Sequence, residues 1–229
     1  MSEPAQASRR YDSSGRQAAA AETRRRIVRA ASDLFVEHGW AGTTVAAVAE
    51  VAGVSAPTVF AGFGSKALLL KAAIDVALAG DDRAVPVSAR PTARWVAEAP
   101  SAAEVLARYA VMMGELAQRA GPIYEVLLRA AGSDPELSSL LADLEQQRLR
   151  AASGVAAAVQ ERGGLPPGRT VDEARDVIWL CNAPELYVNL VRRRRWSTKR
   201  YVAWARDALT KLVLEPPVPE PGPGDPGDR

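Results

Sequence analysis

Three hydroxyl residues, Thr44, Ser55 and Ser65, each stand just ahead of a short apolar run, and the last is followed by Lys66. A hydroxyl at that position caps a helix. The bare N–H groups of a helix start, with a neighbouring cation, also suit a phosphate. Enzyme chemistry has far less to work with, because the chain holds one histidine, His38, and one cysteine, Cys181. A disulfide framework, a Cys/His zinc site and a multi-histidine metal site therefore cannot be assembled within it. A catalytic triad would have to use His38, which falls on an apolar helical stripe as an expected core residue, and no G-x-S-x-G elbow serves it. Gly62-Phe63-Gly64-Ser65-Lys66 lacks the spacing of a phosphate loop and any preceding strand. No catalytic residue, metal or cofactor is expected.

Positive charge is concentrated at the beginning. Residues 1–30 contain seven arginines (9, 10, 16, 24, 25, 26 and 29) against Glu3, Asp12 and Glu22, a local +4 in a chain of net charge +2. That suits a polyanion or a solvated basic tail equally. The first twenty residues lack the apolar stretch of a secretory signal, and the least charged window, 41–65, is broken by Gly and Pro. A cytoplasmic protein with a reduced cysteine and no membrane partner is expected.

With 44 alanines in 229 residues, the elements that must position these side chains are expected to be helices. Ile27, Ala30, Ala31, Leu34, Phe35 and His38 form one apolar stripe ending at Gly39. Thr44 can cap a second helix closed by Gly53. Ser55 and Pro57 can open a third carrying Val59 and Phe60, and Ser65 a fourth ending near Gly80. Residues 81–100 read as irregular. Further helices are expected at 101–120, broken by Gly121-Pro122, then at 123–131, 135–162, 171–194 with a kink at Pro184, and 198–214. The boundaries implied are an unstructured arm at 1–20, a compact helical segment at 21–66, a longer helical segment at 67–214, and an unstructured Pro/Gly-rich tail at 215–229.

Two short helices joined by a Gly turn form the layout of a helix-turn-helix DNA reader. Thr43, Thr44, Ser65 and Lys66 would grip the phosphate backbone, and Ser55, Ala56, Pro57, Thr58 and Phe60 would face bases. For Phe60 a core position is an equal alternative; for Phe63 core is the expectation. Arg24, Arg25 and Arg26 would enter a minor groove or bind phosphates.

The run from Ile27 to Leu70, through Ala31-x-x-Leu34-Phe35-x-x-x-Gly39, Thr43-Thr44-Val45, Ala49-x-x-Ala52-Gly53-Val54-Ser55 and Phe60-x-x-Phe63-x-Ser65-Lys66-x-x-Leu69, resembles the N-terminal domain of TetR-type transcriptional regulators. Pro184-Glu185-Leu186-Tyr187, Trp196-Ser197 and Tyr201-x-x-Trp204 look like the last two helices of many actinobacterial-type members. The resemblance implies an all-α homodimer of about nine helices, in which three helices read a pseudo-palindromic operator. The remainder would hold a small-molecule effector that releases the DNA. The third helix departs from the family pattern at Ala56, Phe60 and Gly62. It contains no Arg, Lys, Asn or Gln, so bidentate base readout is unavailable and methyl contacts with thymine must discriminate.

Tyr109, Met112, Met113, Tyr124, Trp179, Cys181 and Asn182 are candidates for the effector site, against an ordinary bundle core. Their chemistry suggests a largely apolar or aromatic ligand. Tyr201, Ala205, Ala208, Leu209 and Leu212, with Leu186 and Leu190, form a stripe suited to an isologous dimer contact. The competing readings are a helical-bundle small-molecule-binding protein or enzyme without specific DNA binding, and a dimeric module that has lost operator recognition.

Overall fold

The computed structural model describes residues 5–81 and 85–216, with side chains from residue 15 onward. The described residues contain no strand. Their helices are α1 (Ala5–Gly42), α2 (Val45–Ala52), α3 (Ala56–Phe63), α4 (Lys66–Ala79), α5 (Pro91–Ala97), α6 (Ala102–Ala130), α7 (Pro135–Glu161), α8 (Val171–Cys181), the single turn α9 (Pro184–Tyr187) and α10 (Thr198–Leu209). The chain divides into two units. The first takes the residues up to Val87 together with Leu116–Glu145, and the second takes Ser88–Glu115 and the residues from Gln146.

In the first unit the local chemistry acts as the sequence predicts. The Thr44 hydroxyl accepts from Ala47 N at 3.1 Å, Ser55 from Thr58 N at 3.3 Å and Ser65 from Leu68 N at 3.1 Å. Each cap satisfies a backbone donor that the helix cannot. Gly53 closes α2 in the left-handed region (φ 65°), which a side chain would disfavour. The backbone leaves helical geometry at Gly39 (φ 70°, ψ −175°), where the first apolar stripe ends. Ile27, Ala31 and Phe35 of α1 pack with Val48, Val59, Phe63, Leu69 and Ile74, and with Ile123, Leu127 and Leu137 of α6 and α7. At the end of α4, Arg119 donates to Ala77 O and Leu78 O, both at 3.2 Å, supplying donors to carbonyls the helix leaves open.

Several elements differ from the sequence reading. Residues 5–20, expected as an unstructured arm, belong to α1, although residues 15–20 are exposed. Alanines 18–21 favour helix without any core to bury. Most of the 215–229 tail lies outside the described residues. Gly121-Pro122 does not end a helix, since α6 passes through Pro122. The ring removes one backbone bond from a helix of 29 residues whose buried face continues on both sides. Pro91 opens the short helix α5 within the stretch read as irregular. Pro184 is not a kink inside a long helix. α8 stops at Asn182, and Pro184 occupies the first turn of a new helix, where its missing N–H costs nothing. His38 is exposed and not core, lying beyond the last buried turn of α1 next to Glu37.

The second unit has its own core. Val105, Leu106, Tyr109 and Met113 of α6 meet Ala152, Ala156 and Val159 of α7, Ile178 of α8, and Ala205 and Leu209 of α10. Gly163 and Gly164 terminate α7, their N–H groups donating to Gln160 O at 2.8 Å and Val159 O at 3.1 Å. Among the described residues no single helix is long and apolar enough to cross a membrane.

Candidate functional site

The axes of α2 and α3 meet at 107°, within the range of about 90–120° typical of a helix-turn-helix. Val59 and Phe63 anchor α3 in the core, which fixes the face it turns outward. That face carries Pro57, Thr58 and Phe60, all exposed, with Phe60 at 51%. The core alternative for Phe60 is therefore wrong: one helical step from buried Val59 takes its ring to the solvent side. Ser55 is exposed at the cap and shares a 2.8 Å hydrogen bond with the Thr58 hydroxyl. Ala56 is half-buried and packs against the core.

Thr44 is exposed at the start of α2. Thr43 is not available to grip a phosphate, being 1% exposed with its hydroxyl hydrogen-bonded to Leu34 O (3.0 Å) and Gly39 O (2.9 Å). It ties the turn at Gly39 to the end of the first stripe. Thr43→Val should cost about 1–2 kcal/mol in a urea unfolding series while Thr43→Ser costs less, because the valine removes the one hydroxyl proton that the Leu34 and Gly39 carbonyls share.

Lys66 is held beneath the turn. Its Nζ donates to Trp40 O at 2.5 Å and sits 4.1 Å from the centre of the Trp40 ring. Burial lowers its pKa, against the opposing pull of Asp134. Ser65 caps α4 and donates to Glu136 Oε1 at 2.5 Å. Both residues thus brace the module from within, a role for which Trp40 and Glu136 gave no sequence signal. Arg24 lies over the Phe63 ring (4.4 Å) with a long contact from Nη1 to Gly62 O (3.5 Å), and Arg25 pairs with Glu22 at 2.7 Å. The Arg26 guanidinium lies beside Gly53. Arg24 and Arg26 thus carry positive charge to the two ends of the outward face.

The profile described as bacterial regulatory proteins, tetR family, matches residues 27–73. The helix-turn-helix is thus similar to the module of that family. Solved structures extend the likeness from this module to the fold of the whole chain. A TetR-family transcriptional regulator from Rhodococcus sp. is 19% identical, with a TM-score of 0.65 over 84% of this chain and 99% of that one. NalD of Pseudomonas aeruginosa, the secondary repressor of the MexAB-OprM multidrug efflux pump, is 18% identical, with a TM-score of 0.64 over 86% and 98%. FadR of Bacillus subtilis, solved with stearoyl-CoA, is 19% identical, with a TM-score of 0.62 over 82% and 96%. Comparison with curated proteins gives no significant match.

In the second unit Tyr109, Met113 and Cys181 are buried, and Met112, Trp179 and Asn182 are half-buried. Tyr124 does not join them, since it packs in the core of the first unit. Helical periodicity identifies a buried position without saying which core receives it. The Tyr109 hydroxyl has Arg148, Tyr201, Cys181 and Asn182 as polar neighbours, and burial raises its pKa. It makes no hydrogen bond, Asn182 standing outside bonding geometry. The Trp179 indole N–H and Arg148 Nε are likewise buried and without hydrogen bonds. Arg148 holds the Trp179 carbonyl through Nη2 at 3.0 Å and lies 5.2 Å from the centre of its ring. The sequence reading missed Arg148, since no local pattern separates an inward arginine on a long helix from a solvated one.

The expected dimer stripe is divided. Tyr201, Ala205 and Leu209 are buried inside the chain's own second unit and cannot face a partner, because this i, i+4, i+8 row is the one packed inward. Leu186, Leu190 and Ala208 are half-buried, and Leu212 is exposed.

Proposed function

We propose that this chain is a ligand-responsive transcriptional repressor, which binds a pseudo-palindromic operator as a homodimer and is released by a small molecule held in the second unit. The observation that carries the reading is the division of α3 into an anchored face, Val59 and Phe63, and an outward face, Pro57, Thr58 and Phe60. Such a face fits a major groove, while the exposed Thr44 end of α2 and the arginines at 24–26 meet the flanking phosphates. Thymine methyls are the groups it can read, through Ala56, Pro57, Thr58 and Phe60. The homodimer uses Leu186, Leu190, Ala208 and Leu212, together with Leu180, which is exposed on α8.

The effector acts by binding one conformation more tightly than the other. Ser65–Glu136 joins the start of α4 to α7, and Arg119 joins its end to α6, so movement of either long helix is passed to the reader.

Duplex selection from a random pool tests the reading. It should return two half-sites about 34–36 Å apart, or a related spacing, and binding should weaken steeply with salt. Sedimentation should give a dimer at micromolar concentration. A pool without enrichment, from a folded protein, would favour a small-molecule-binding bundle without specific DNA binding.

A further inference from the structure

Arg148 stands beside both Trp179 and Tyr109. The Tyr109 hydroxyl, the Trp179 indole N–H and Arg148 Nε are buried donors without hydrogen bonds, and all lie within the second unit. Tyr109 is wholly enclosed, and its electrostatic neighbours include Arg148 but no carboxylate. Arg148 touches only the carbonyl and ring of Trp179, and among the described residues no Asp or Glu pairs with it. Glu185 Oε2 is a further buried oxygen without a partner, but Glu185 is not among the groups that Tyr109 feels and is left out of the cluster.

An inward guanidinium beside two unused donors is a costly arrangement for a core that is to remain empty of ligand. The same three groups match the oxygens of a carboxylate, which accepts several charge-assisted hydrogen bonds at once. The surroundings are apolar, with Met113, Ile178 and Ala205 in the same core.

We infer that the effector is an apolar monocarboxylate, its carboxylate held by Arg148, Tyr109 and Trp179 and its hydrocarbon part packed among the methionine and aliphatic side chains. This rests on the small-molecule site proposed above. It narrows the expectation of a largely apolar ligand to one with a single anionic end.

Decanoate and 1-naphthoate, each paired with its neutral amide, test the inference by calorimetric titration of the full-length protein. The carboxylates should bind about tenfold to hundredfold more tightly than the amides, the range expected for hydrogen bonds to a charged group. Arg148→Met should abolish that preference. Tyr109→Phe should weaken carboxylate binding about tenfold while the free protein melts no lower than the parent, because the hydroxyl it removes had no partner. Should Arg148→Met fail to fold, Tyr109→Phe and Trp179→Phe carry the test alone. Equal binding of acid and amide, no binding of either pair, or a preference that survives the variants would overturn the inference. Duplex affinity is measured on the same preparations. Intact DNA binding without carboxylate preference defeats this inference alone, and carboxylate binding without duplex binding defeats the regulator reading alone.

Discussion

Phe60→Glu should fold as the parent does and lose about 100-fold in affinity for its selected duplex. Half the Phe60 surface is exposed, and the anchoring contacts of α3 come from Val59 and Phe63. A charge at position 60 therefore costs the fold little. On the duplex it replaces an apolar contact with thymine methyls by a carboxylate placed in the negative potential of the major groove, and such like-charge juxtaposition costs several kcal/mol. Circular dichroism and thermal melting establish the unchanged fold, and fluorescence anisotropy at fixed salt reads the affinity. Phe60→Tyr, which keeps the ring and adds a hydroxyl, should retain binding within a few-fold. If Phe60→Glu binds as the parent does, α3 does not face DNA.

The second large effect concerns stability in the other unit. A Cβ at Gly164 would lie 2.1 Å from Ala102 Cβ and 3.2 Å from Val159 O. Neither neighbour is the end of a flexible side chain, so backbone must move where the start of α6 meets the residues that follow α7. Gly164→Ala should cost about 3 kcal/mol, at the upper end for overpacking, and lower the melting temperature by about 6–12 °C for a chain of this size. Ala102→Gly in the same molecule removes the atom it strikes and should restore much of the loss, less the conformational cost of a second glycine. Failure of that rescue would place the strain elsewhere. DNA affinity, measured well below the melting transition, should stay near that of the parent, since α3 belongs to the other unit.

What the sequence makes legible is the chemistry that acts within a turn or two. Thr44, Ser55 and Ser65 cap the helices they precede, and Gly39 and Gly53 stop the helices before them, because a cap answers to backbone groups only a few residues away. The outward face of α3 follows from the same local register once Val59 and Phe63 are buried. What is not legible depends on distant partners. Thr43 has the same side chain as Thr44, yet its hydroxyl is consumed by the chain nine residues earlier. Lys66 reads as a surface cation until Trp40 is placed above it. Pro122 has the residue type of a stop, but the buried residues flanking it keep α6 continuous.

Two expectations, one for the effector site and one for the dimer contact, failed in part for a related reason. Helical periodicity gave Tyr124 and Tyr109 the same weight, and only the fold sends one to each unit. It likewise marked Tyr201, Ala205 and Leu209 as an apolar row without saying that the row is spent on this chain's own core. Arg148 was invisible because an arginine on a 27-residue helix has no local reason to turn inward.

The claim on which the account depends is that the outward face of α3 lies in the major groove and reads thymine methyls. Replacing thymine by deoxyuridine, one position at a time in the selected duplex, removes only the 5-methyl group on that side. The account predicts a loss of about threefold to fourfold at the contacted positions of each half-site, the value of one buried methyl, and none outside them. An affinity unchanged at every position would contradict it.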